Sequence, residues 1–130
     1  MATTNSAFIN NYGLRTGLGA NTGQCVEYSY ATSSVTVGTF SIVPNADRAY
    51  YLLPVAMTGT VSLSVNATYS TICQDLKVMF TGNATTTYSV TFAGDVSANS
   101  TSLSVSPGKY AIYMGTFNGT KYIGNIHNQL

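Results

Sequence analysis

The stretch KYAIYMGTFNGTKYIGNI, residues 109–126, decides how the chain is read. Two apolar-rich runs flank Asn118-Gly119, the strongest short-range signal of a two-residue β-hairpin, because both central residues of that turn take positive φ. Register then follows: Phe117 faces Thr120, Gly115 faces Tyr122, Met114 faces Ile123 and Tyr113 faces Gly124. Each glycine has a tyrosine across from it, whose ring can cover the exposed backbone. Alternation puts Ala111, Tyr113, Phe117, Tyr122 and Ile126 on one face, and Tyr110, Ile112, Met114 and Ile123 on the other. Both faces are apolar, so this hairpin needs cover on two sides.

Working outward, the other periodic segments from Val26 onward also have period two. Val35 and Val37 share a phase that Phe40 and Ile42 do not, which predicts a bulge or bend at Gly38-Thr39. Tyr50 to Leu53 is apolar on both faces, and Pro54 pushes that strand towards an edge or its end. Val61, Leu63 and Val65 point inward, with Ser62 and Ser64 outward. Ile72, Gln74, Leu76, Val78 and Phe80 form a further inward row, with Cys73, Asp75, Lys77 and Met79 on the opposite face. Tyr88, Val90 and Phe92 make another row, and Leu103 and Val105 another, ended by Pro107-Gly108.

About eight short strands at regular spacing predict an all-β fold. The architecture expected is a single two-sheet antiparallel β-sandwich, jelly-roll-like, spanning residues 26–130. Residues 1–25 read as an extended, irregular N-terminal arm, rich in Gly, Asn and Thr. Its scattered apolar residues, Phe8, Ile9, Tyr12 and Leu14 among them, need a neighbouring subunit to lie against.

Composition narrows the function. At 130 residues the chain is one domain, long enough to bury a core without staples. Charged residues are 7% and the net charge is +1, so the polar surface must come from Ser, Thr and Asn. With no basic cluster, nucleic acid is not an expected partner. With no basic-then-apolar leader and no long apolar run, neither secretion nor a membrane span is expected. A near-neutral surface does little to keep copies apart, which suggests an assembly component.

Reactive chemistry is sparse. His127, the one histidine, sits close to the C-terminus and reads as an exposed tail residue. Glu27, Asp47, Asp75 and Asp95 are scattered, and no G-x-S-x-G elbow occurs. One histidine and the two cysteines, Cys25 and Cys73, do not make a zinc set. Free thiols are favoured for those cysteines on compartment grounds. No enzyme activity, cofactor or metal is expected. The 10 tyrosines are mostly core, with some at an interface. On this reading Tyr113, Phe117 and Tyr122, together with the arm's Phe8, Ile9, Tyr12 and Leu14, are the candidate interface.

From Tyr51 the features run YLLP, VSLSVN, a Thr-rich middle, SLSVSPGKYAIY and FNGTKYIG. That order resembles small β-structured virion proteins of tailed bacteriophages, such as head decoration proteins, head fibres and fibre-tip domains. Phe117, Gly119, Thr120, Lys121 and Tyr122 stand where those families carry a closing aromatic-x-Gly-Thr-Lys-aromatic hairpin. The resemblance implies a non-enzymatic virion protein, first of all a capsid decoration or cement protein. It would bind the major capsid or another virion protein as a homo-oligomer, the trimer being favoured by the resemblance. Two alternatives stay open: a receptor- or glycan-binding fibre tip, and a secreted adhesin domain with a Cys25–Cys73 bridge.

Overall fold

The computed structural model describes residues 30–45 and 48–129. These residues hold ten strands and no helix. The first six are β1 (Tyr30–Thr32), β2 (Gly38–Ile42), β3 (Tyr50–Leu53), β4 (Val61–Val65), β5 (Asp75–Thr81) and β6 (Tyr88–Gly94). Then come β7 (Val96–Ser97), β8 (Ser102–Val105), β9 (Tyr110–Phe117) and β10 (Tyr122–Gln129). They form a six-stranded sheet in the order β1-β3-β5-β9-β10-β7 and a four-stranded sheet in the order β2-β4-β6-β8.

From β1 to β6 successive strands alternate between the two sheets. Within each sheet they pair in parallel, β1 with β3 and β3 with β5, β2 with β4 and β4 with β6. The chain therefore coils, making a β-solenoid of about three turns. Each turn takes 20 to 29 residues, the period of a solenoid repeat. After β6 the coil gives way to antiparallel strands: β8 lies against β6, β9 against β5, and β10 against β9. The short β7 runs parallel to β10 at the sheet's far edge.

This corrects the antiparallel jelly-roll sandwich. Alternation of apolar residues says which side of a strand faces the core, and says nothing about the direction of its neighbour. The turn signals between strands carry the chain from one sheet to the other. Among the described strands only β9 and β10 are both consecutive and adjacent.

The core lies between the sheets. Tyr51, Val78, Tyr113 and Ile126 form one inward row across the six-stranded sheet, and Leu53, Phe80 and Ala111 form the next. Opposite them stack Val61 and Val90, then Phe40, Leu63 and Phe92, then Ile42 and Val65. Val61, Leu63, Val78, Phe80, Val90, Ala111, Tyr113 and Tyr122 are wholly buried. Each buried aliphatic or aromatic side chain contributes about 1.5–3 kcal/mol, so these rows rather than any single contact hold the coil together.

Several local expectations change. The slip at Gly38 takes the form of a bend at Val37, with Gly38 at φ +86° opening β2. Pro54 does end β3, but that strand lies between β1 and β5 rather than at an edge. Ile72 is exposed ahead of β5 and lies near Gly119, while Leu76, Val78 and Phe80 are buried as the alternation requires. Cys73 is exposed, at φ +71°, with its amide donating to the Phe117 carbonyl at 2.8 Å.

The final hairpin keeps its faces and changes its register. Phe117 pairs with Tyr122, Gly115 with Gly124 and Met114 with Asn125, leaving a four-residue loop over 118–121. The Asn118 side-chain oxygen accepts from the Thr120 and Lys121 amides, both at 2.9 Å, and the Asn118 amide donates to the Lys121 carbonyl at 3.0 Å. That side-chain capping replaces the two-residue turn, with only Gly119 at positive φ, +99°. The register differs by two residues, so no side chain changes face.

Candidate functional site

Both sheets have an outer face, and the two differ in character. On the four-stranded sheet, inward Phe40, Leu63 and Phe92 alternate with outward Thr39, Ser41, Ser62, Ser64 and Thr91. Ser102 and Ser104 continue that hydroxyl face on β8. It is a surface made for water.

The outer face of the six-stranded sheet carries large apolar side chains with polar ones among them. One row runs Leu52, Met79, Ile112 and His127; the next runs Tyr30, Tyr50, Lys77, Met114 and Asn125; a third holds Asp75, Thr116 and Ile123. Among the described residues, Tyr30, Tyr110, Met114 and Ile123 are large apolar side chains left exposed, at 62%, 42%, 47% and 47%. Lys77 reaches over the Tyr50 ring, with its ammonium 5.7 Å from the centroid, and Asp75 accepts from the Thr116 hydroxyl at 3.1 Å. Exposed large apolar side chains grouped on one face often mark a place where something binds.

A shallow groove of about 410 Å³ crosses this face where Gly115 and Gly124 pair, flanked by Lys77, Met114, Thr116, Ile123 and Asn125. The glycines are there for the other side of the sheet. A Cβ on Gly115 would meet the Tyr113 ring, and one on Gly124 would meet the Met114 carbonyl.

The buried hydroxyls are satisfied. Tyr113 donates to the Ser97 carbonyl at 2.9 Å, while Tyr122 and Ser70 share a hydrogen bond of 2.6 Å. The Ser70 hydroxyl passes on to the Pro44 carbonyl at 3.3 Å. Burial pushes the Tyr113 phenol up to about 12, with Tyr122 nearby adding to the effect. Burial also raises Tyr122, opposed by its bond to Ser70, and raises Tyr51, opposed by the Arg48 charge. These tyrosines are protonated structural members at neutral pH.

A second groove, of about 390 Å³, lies between Phe92 and residues 96–101. Its polar groups serve the fold, for Asn99 accepts from the Ile126 amide at 2.8 Å and Ser100 donates to the Ser102 carbonyl at 2.9 Å. Among the described residues no group of three or more His, Cys, Asp or Glu could hold a metal ion.

Of the expected interface residues, Tyr113, Phe117 and Tyr122 lie in the chain's own core. Phe8, Ile9, Tyr12 and Leu14 lie outside the described residues, as does Cys25. The exposed side of the hairpin is its second face, Tyr110, Ile112, Met114 and Ile123, extended by Tyr30, Tyr50, Leu52 and Met79. That extension had a signal, because Tyr50 to Leu53 is apolar at every position, as the hairpin is. No protein-family model matches the chain, and no curated protein matches it.

Proposed function

We propose that the protein is a non-enzymatic structural component of an assembly, joined through the outer face of its six-stranded sheet. One observation carries this reading. Of two outer faces built by the same coil, one is lined with hydroxyls and the other with Tyr50, Leu52, Met79, Ile112, Met114 and Ile123. Covering the second face contributes roughly 25 cal/mol for each Å² of apolar surface removed from water. A net charge of +1 offers little repulsion against close approach of like copies. The likeness of roughly residues 50–126 to phage virion proteins supports placing the assembly on a particle shell, as a decoration or cement protein beside the major capsid protein.

Methionine oxidation tests the reading. Met79 and Met114 lie on the outer face, whereas Met57 is buried in the core and serves as an internal reference. With dilute peroxide, Met114 and Met79 should oxidise several-fold more slowly in concentrated than in dilute protein, with Met57 slow in both. Equal rates for Met114 at all concentrations would show that the face is not covered by association.

A further inference from the structure

We propose that this face is covered by the same face of a second copy, related by a two-fold axis along the row Leu76–Gly115–Gly124. The proposal rests on the assembly reading above and specifies the partner. Leu76, Gly115 and Gly124 are register partners on β5, β9 and β10. On one side of that row stand Lys77, Met114 and Asn125, and on the other Asp75, Thr116 and Ile123. A two-fold axis along the row exchanges the two sides. Asp75 then meets the second copy's Lys77, Met114 its Thr116, and Ile123 its Asn125.

Charge and shape both agree with that exchange. Asp75 and Lys77 carry opposite charge on either side of the row, so the exchange sets each against its opposite. A two-fold axis along β5, another way to lay face on face, sets lysine on lysine instead. Met114 and Ile123 project from either side of the groove floored by Gly115 and Gly124, and the same operation sets the two grooves mouth to mouth, with a Met114 and an Ile123 from each copy along their rims. Methionine is flexible enough to fill so shallow a site. The contact is isologous, the arrangement commonest among homo-oligomers, and it favours a two-fold pair over a three-fold ring.

Complementary charge reversal tests it. Asp75→Lys makes both positions positive and Lys77→Asp makes both negative, so each variant alone should associate at least tenfold more weakly than wild type. Mixed in equal amounts, the two should associate to within about threefold of the wild-type constant, because each positive row then faces a negative one. Restoration in the mixture also shows that both variants are folded. Unchanged association of the single variants would overturn the two-fold arrangement, while the oxidation experiment would still stand for the assembly itself. Weakening without restoration in the mixture, with folding confirmed by circular dichroism, would overturn it too, since the two charges would then not face each other. Wild-type protein that stays monomeric at every concentration would overturn both.

Discussion

Tyr113 lies over Gly115, two residues along the same strand, and sends its hydroxyl to the Ser97 carbonyl at 2.9 Å. That arrangement explains why the hairpin spends two glycines in the middle of its strands, where glycine is ordinarily unfavourable. The ring occupies the space a side chain at 115 would need. The Gly115–Gly124 pair lets β9 and β10 approach closely enough to hold it.

Alanine at either glycine should therefore destabilise the fold, and position 124 should be the worse. At Gly124 the new Cβ meets backbone of the neighbouring strand, which cannot turn aside; at Gly115 it meets a ring that is buried but could shift. Losses of about 1–3 kcal/mol are expected for Gly115→Ala, and more for Gly124→Ala, as for other overpacked core sites. Urea unfolding measures both. Wild-type midpoints for the two variants would mean that the strands are not so close.

Gly119→Val should cost about 1–3 kcal/mol. The loop is not the two-residue turn that Asn118-Gly119 suggests, yet Gly119 still takes φ +99°, which a β-branched residue reaches only under strain. Thermal unfolding against wild type decides it, with an unchanged midpoint as the contrary result.

Leu63→Ala should cost about 2–5 kcal/mol, the usual range for a buried leucine that leaves a cavity. Leu63 is wholly buried in the middle turn, between Phe40 and Phe92 on the adjoining strands. Ser62→Ala, on the outer side of the same strand, should change stability by less than about 0.5 kcal/mol. Comparable losses at both sites would contradict the assignment of faces.

Alkali should unfold the protein early. Tyr113, Tyr122 and Tyr51 hold their protons more tightly when folded than the ordinary 10.0, with Tyr113 at about 12. Their contribution is complete below the unfolded value. As pH rises past 10.0 the unfolded chain ionises first, and stability falls until the folded Tyr113 ionises near 12. Urea midpoints at about pH 8 and pH 11 test this, and Tyr113→Phe should lose less between the two than wild type does. An identical loss in the variant would remove Tyr113 from the account.

How much of this could be read from residues alone is clearest at the hairpin. Its two faces were legible, because alternation fixes the side to which each residue points and a two-residue change of register leaves it intact. The register was not, because the Asn118 side chain caps a longer loop, and nothing in the dipeptide distinguishes that from the tight turn. The inward rows through Leu63, Val78 and Val90 were legible for the same reason as the faces. The coil is hard to see in the sequence because Thr39-Phe40-Ser41, Ser62-Leu63-Ser64 and Thr91-Phe92-Ala93 look like separate strands, although they are one motif repeated each turn. Stacked in register, those triplets are the visible trace of a solenoid. Tyr113, Phe117 and Tyr122, expected at an interface, lie on the buried face of the hairpin. Only packing against the second sheet decides which of two apolar faces goes inside.

Sedimentation equilibrium most directly tests the central claim, that the outer face of the six-stranded sheet is an assembly surface. Wild-type protein should sediment above its monomer mass of 13.7 kDa at micromolar concentration, and Met114→Lys/Ile123→Lys should sediment at that mass with its fold intact. A wild-type protein that remains a clean monomer, or a double variant that associates as wild type does, would contradict the account.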